Sequence, residues 1–151
     1  MVKWKEEIII DRDIDKVWLL FQDRSIQKIM PKIHSHELLE GQDDHAGAKH
    51  SQSYYEGKQL MSYVVDTKIY TDLPELKERT VEFLMGQSIV VNYSYRLEKL
   101  EAGKTRFIYS GFNKGLTASA KMMLLAGSKK SRQATARTFL ERVKNEAEKM
   151  A

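Results

Sequence analysis

A chain of 151 residues with 42% apolar residues can fill one globular core and is too hydrophobic for a disordered chain. It has no cysteine, which excludes a disulfide framework and thiolate metal sites and fits a reducing compartment. The net charge of +4 is uneven: from Asn113 onward nine Lys or Arg face three Glu, about +6, and the rest carries about −2.

Residues 1–7 hold no apolar run of signal-peptide length, and no stretch reaches the roughly 18 apolar residues of a membrane span. The expectation is one domain over residues 1–151 in the cytoplasm. Residues 3–11 alternate weakly around Ile8-Ile9-Ile10 and predict a first strand. Asp13 is the expected N-cap of a helix carrying Val17, Trp18, Leu20 and Phe21 at helical spacing. A second short helix over 25–30 starts at Ser25 and stops before Pro31, whose ring disfavours helix in the residue preceding it.

A meander follows. Strands over 33–40 and 48–55 flank the polar loop 41–47, which has a glycine at each end. The Glu56-Gly57 turn leads into a strand over 59–70, and residues 71–75 connect it to another over 76–85. Residues 87–98 alternate most clearly: Ile89, Val91, Tyr93, Tyr95 and Leu97 share one face, Asn92, Ser94 and Arg96 the other. Ala102-Gly103 turns the chain into a strand over 105–113. From about 116 to 150 the pattern predicts one long amphipathic helix, roughly 45–50 Å at 1.5 Å per residue. Strands with one apolar face each must bury it, and only this helix is long enough to cover them.

The segments EEIIIDRDIDKVWLLFQD and LTASAKMMLLAGSKKSRQATARTFLERVKNEAEK carry a resemblance. They are similar to the opening strand and helix and the closing helix of the START-like helix-grip superfamily, in particular its polyketide cyclase/dehydrase and lipid-transport (SRPBCC) group. Val17-Trp18 matches that group's Val-Trp pair, and Leu140, Val143 and Lys144 match its Leu-x-x-Val/Leu-Lys ending. Asp11-Arg12-Asp13 stands where the family has a proline. The resemblance spans essentially the whole chain. It implies an α+β helix-grip fold: a curved seven-stranded antiparallel sheet around a long C-terminal helix, with two short helices between strands 1 and 2. Such proteins include lipid carriers, binders of hormones and plant metabolites, and aromatase/cyclases. They share no catalytic motif that could be placed on residues here.

If Tyr93 and Tyr95 point inward with Val91, the same parity places Met61, Tyr63, Val65 and Ile69 inside from the strand over 59–70. Val81, Phe83 and Met85 join them, then Phe107 and Tyr109, with Met122, Met123 and Ala126 expected to face them from the helix. Phenols on an apolar wall orient a ligand, and methionines adapt to its shape. The same stripe describes an ordinary filled core equally well. Arg79 shares parity with Val81 and Phe83 and is a candidate anchor for an anionic group. Gly127-Ser128 weakens the helix by about 1 kcal/mol, as a hinge admitting ligand or as a simple kink.

The basic run from Lys129 to Arg137 suits transient contact with an anionic membrane or a solvated face. Nothing resembles a helix-turn-helix, zinc pattern or stacking platform, so no nucleic-acid partner is expected. His34, His36 and His50 raise the question of zinc, since three imidazoles can hold it. With His45 in an acidic loop beside Asp43 and Asp44, the reading is of exposed hairpin histidines and no metal site. No nucleophile elbow, phosphate loop or dinucleotide fingerprint is present, so no catalytic residue is assigned and no cofactor is expected. The chain reads as a monomer or weak dimer that binds or carries a small hydrophobic ligand. The alternatives are a cyclase/aromatase-type enzyme and a lipid exchanger docking through its basic helix.

Overall fold

A computed structural model describes residues 1–150. Seven strands form one antiparallel sheet: β1 (Val2–Ile10), β2 (Ile33–Glu40), β3 (Lys49–Glu56), β4 (Gln59–Asp72), β5 (Leu76–Met85), β6 (Ile89–Glu101) and β7 (Lys104–Gly115). Their order across the sheet is β1-β7-β6-β5-β4-β3-β2, so each hairpin lies beside the next and β1 closes on β7. The helices α1 (Ile14–Trp18) and α2 (Ile26–Ile29), joined through short 3₁₀ turns, carry the chain from β1 at one edge to β2 at the other.

Alternation does most of the building. Ile89, Val91, Tyr93, Tyr95 and Leu97 are all buried on the inner face of β6. Phe107 of β7 and Val81 of β5 lie with them, as do Val17, Trp18 and Phe21 of the elbow and Phe139, Leu140 and Val143 from the C-terminal helix. Phe21 is fully buried with its ring 4.9 Å from Tyr95 and 5.2 Å from Phe107. The elbow is thus pinned to the middle of the sheet.

The C-terminal segment differs from the expected single helix. It is two helices, α3 (Ala118–Leu125) and α4 (Lys129–Glu148). Ser128 leaves the helical conformation and its hydroxyl accepts from the Ser131 N–H, so the Gly127-Ser128 weak point has become a capped break. Thr117 caps α3 in the same way, accepting from Ala120 N–H. Helix α4 lies along the β1 edge, where Arg137 donates to the Glu7 carbonyl at 3.1 Å and Lys144 to the Ile9 carbonyl at 2.8 Å. Its far side meets α2 through Arg142, which donates to the Ile29 carbonyl at 3.4 Å.

The break reverses part of the expected lining. Met122 and Met123 are 72% and 64% exposed, and Ala126 is exposed as well. These three residues do not face the strands, because α3 is short and packs mainly on the end of β7. Ile69 is a second correction: it is 44% exposed. A bulge between Thr67 and Ile69 shifts the β4–β5 register and turns Ile69 outward and Tyr70 inward, against Trp18 at 5.2 Å. Gly111, opposite Trp4, is required by close approach, since a Cβ there would sit 2.5 Å from the Trp4 ring.

Candidate functional site

Between α4 and the concave face of the sheet lies a groove of about 460 Å³. The α2–β2 connection supplies Met30 and Lys32 to its wall and the start of β2 Ile33, α4 supplies Thr135, Phe139 and Arg142, and Tyr54, Tyr63 and Tyr109 form the sheet side. Its volume falls within the 300–1,000 Å³ of small-molecule pockets. The aromatic residues make a continuous layer. Tyr63 stacks on Phe83 at 4.1 Å, Tyr109 stacks on Tyr95 at 5.8 Å, and Phe139 closes onto Tyr109 at 4.8 Å.

The expected lining residues therefore divide. Tyr63 and Tyr109 reach the groove. Val65, Val81, Tyr93 and Tyr95 line only a small hollow of about 20 Å³ deeper in the core. Val91 and Phe107 are buried in the core, with Phe83 and Met85 packed against it, and Met61 is half-buried on β4. Burial pushes the phenols up: Tyr63 to about 12, and Tyr93, Tyr95 and Tyr109 well above the ordinary tyrosine value. Deprotonation would leave an anion in a medium that solvates it poorly. The groove's phenols thus remain neutral donors and acceptors at any physiological pH.

Next to the small hollow is a polar cluster that alternation alone did not reveal. Asp23 sits in the elbow and is buried. Its Oδ1 accepts from Arg79 Nη2 at 2.5 Å and pairs with His36 Nε2 at 2.6 Å; its Oδ2 accepts from the Asp44 N–H at 2.8 Å. Asp44 returns the bond by accepting from the Asp23 N–H at 2.8 Å, which ties the loop between β2 and β3 to the elbow. Burial acts to raise the Asp23 pKa. The His36 hydrogen bond, the Arg79 charge and the Asp44 N–H outweigh it and hold the carboxyl well below the ordinary range. From His36 the network continues through Nδ1 to Gln52 Oε1 at 2.7 Å, and Gln52 donates to the Tyr63 hydroxyl at 2.5 Å.

Two expectations change here. Arg79 points inward, yet it is not available as an anchor for a ligand's anion. Nη1 donates to the Phe21 carbonyl at 2.7 Å while Nη2 serves Asp23, and the residue is 2% exposed. The histidines are not all exposed hairpin residues either. His34 and His45 are exposed, but His50 is 1% exposed and stacks on His36 with ring centroids 4.3 Å apart. A register shift between Ile33 and Ser35 in β2 separates His34 from His36, so the two do not share a face.

Asp23, His36 and His50 offer donor atoms within 4.8 Å of one another, the spacing of a three-ligand metal site. The geometry argues against one. The imidazoles are stacked within 10° of parallel, so their in-plane lone pairs run side by side without converging. Arg79 already occupies the cationic position on the shared carboxylate oxygen. The cluster is an internally neutralised clamp that joins elbow, loop and sheet.

The architecture is an α+β helix-grip fold, with a groove between sheet and closing helix. No family model matches the chain, and no curated protein does. Solved structures do match. A hypothetical protein from Helicobacter pylori superposes with a TM-score of 0.76 at 13% identity, covering 96% of this chain and 87% of that one. The di-domain ARO/CYC protein BexL of the BE-7585A biosynthetic pathway gives 0.75 at 10% identity, covering 98% of this chain and 47% of that one. The human StarD13 lipid transfer and protein localization domain gives 0.67 at 14% identity, covering 95% and 75%. The chain has the START-like helix-grip fold. No described helix is long and apolar enough to cross a membrane.

Proposed function

We propose that this protein binds or carries a small hydrophobic molecule in the groove between sheet and α4. One observation carries the reading: the 460 Å³ groove has aromatic and aliphatic walls whose polar handles are three phenols and two threonine hydroxyls, with Lys32 and Arg142 as its charged wall residues. Members of this fold described as lipid transfer domains or as ARO/CYC proteins support it at the level of class. The cyclase/aromatase alternative needs an ionisable side chain that touches substrate. His36 and Arg79 line only the 20 Å³ hollow, room for about one water, and each is bonded to Asp23. The groove's own ionisable groups are Lys32, Arg142 and phenols that burial keeps neutral. Among the described residues, no carboxylate or imidazole lies on its wall to serve as acid or base, so binding without chemistry is the reading favoured here.

Thr135 is exposed, lies on α4 and lines the groove. A Thr135→Trp variant should fill the groove and leave the core intact. Native mass spectrometry of the protein purified from cells should show an adduct of stoichiometric mass that the variant lacks. An adduct retained by a folded Thr135→Trp protein would place the ligand elsewhere.

A lipid exchanger is the second reading, and α3 is the observation that favours it. Met122, Met123 and Leu125 are 72%, 64% and 78% exposed, with Lys121, Lys129 and Lys130 around them and no acidic residue from Lys114 to Arg137. Apolar side chains flanked by lysines suit an anionic bilayer surface, where each cation contributes about 1 kcal/mol. Co-sedimentation with phosphatidylserine vesicles should fall with added salt and be lost in Met122→Ser/Leu125→Ser. Equal recovery with phosphatidylcholine vesicles would remove this reading.

A further inference from the structure

Beyond Tyr109 and Thr135, which also line the groove, lies a recess of about 210 Å³ walled by Trp4, Asn113, Ser131, Arg132 and Ala136. Among the described residues, three buried polar atoms on this wall have no hydrogen-bond partner: Trp4 Nε1, Asn113 Oδ1 and Arg132 Nε. Folded proteins pair nearly all such atoms, so three around one recess call for a common explanation. The Trp4 N–H stands close enough to the Tyr109 hydroxyl to lower that phenol's pKa as a weak hydrogen bond would, but outside good hydrogen-bond geometry.

The chemistry of the wall is specific. Arg132 spends Nη1 on the Gly127 carbonyl at 3.0 Å, and among the described residues it pairs with no carboxylate. Among the described residues, no acidic side chain lines the recess or the groove. Asn113 Oδ1 accepts no hydrogen bond among the described residues, so turning the amide over to present N–H donors gives up no bond at that atom. An indole N–H, a guanidinium and an amide make a donor-rich cup with one positive charge. Such a cup matches an oxyanion better than a neutral hydroxyl, because hydrogen bonds to charged groups are the stronger ones and the guanidinium fork fits planar carboxylate or phosphate.

We propose that this recess holds the anionic head of an amphiphilic ligand, a carboxylate or a phosphate, while the tail passes Tyr109 and Thr135 into the larger groove. Arg132, Trp4 and Asn113 supply the donors. The inference rests on the reading of the groove as a ligand site, and the test separates the two.

Isothermal titration of the full chain with dodecanoate, dodecyl phosphate and dodecanol, all below micellar concentration, compares heads on one tail. The expected result is that at least one anionic amphiphile binds about tenfold or more tightly than the alcohol. The preferred head tells carboxylate from phosphate. Arg132→Gln should abolish that gap with little effect on dodecanol, and Trp4→Phe, which keeps a ring but loses the N–H, should narrow it. Arg142→Gln, at the far end of the groove, should leave it. Equal affinity for alcohol and anions would overturn the anionic head, and water would then satisfy the three atoms. A gap removed by Arg142→Gln but not by Arg132→Gln would overturn its placement. Failure of all three amphiphiles to bind would remove the groove reading and this inference with it.

Discussion

Replacing Arg79 by Met is expected to lower the free energy of unfolding by about 3 kcal/mol, because it takes the guanidinium away from a buried carboxylate that retains His36 and the Asp44 N–H. Asp23 and Arg79 have side chains 3% exposed each, and their contact is a 2.5 Å bond. Against the 5–15 kcal/mol total of a typical domain, such a loss would leave the protein only marginally folded. Urea denaturation monitored by circular dichroism at neutral pH measures it. The double variant Asp23→Leu/Arg79→Met, which removes both charges, should recover part of the loss; an equal or larger loss in the double would show that shape, not charge, holds the cluster together.

Acid gives the same pair a second readout. The folded-state pKa of Asp23 is depressed, so its contribution is fully present above the unfolded carboxyl pKa of about 3.9 and is lost as pH falls toward the folded value. Stability should therefore decline steeply below about pH 4, and less steeply in Arg79→Met, where one of the causes of the depression is gone. Identical acid profiles for the two proteins would remove Arg79 as a cause.

Phe21→Ala is the second large effect, about 3–5 kcal/mol, from lost burial and the cavity left behind. Its ring lies against Trp18, Tyr95 and Phe107, and its carbonyl accepts from Arg79. The apolar elbow and the polar clamp therefore meet at one residue. For this reason Phe21→Ala and Arg79→Met should not be additive: loosening the elbow already relaxes the clamp, and the pair should cost less than the sum of its parts. Strict additivity in denaturation would mean that the two contacts are energetically separate.

Much of this architecture was legible from periodicity. The inward set of β6 follows from strict alternation, and Val17, Trp18 and Phe21 follow from helical spacing after Asp13. Gly127-Ser128 was legible as a weak point, and glycine followed by a capping hydroxyl explains why α4 restarts at Lys129. Met122, Met123 and Ala126 went the other way because an apolar run reads as buried unless its partner surface is known. Ile69 was misplaced because a bulge inverts parity without leaving a mark in the residue pattern.

The polar features were almost wholly invisible. Asp23, His36, His50 and Arg79 lie far apart in the chain, and the cluster exists only because the elbow, the β2–β3 loop and three strands meet there. A lone Asp in a helical elbow and histidines on hairpins carry no local signal of burial. The one hint was the parity that turned Arg79 inward. The recess around Arg132 is similar, joining the first strand, the last strand and the first two turns of α4. The sequence by itself determined the order of elements, the buried face of the regularly alternating strands and the presence of helix at the C-terminal end, because hydrophobic alternation and helix caps are local properties. Only the tertiary structure decided which charges neutralise one another, where the groove opens and which polar atoms are left facing it, because those depend on distances between residues that the chain order keeps apart.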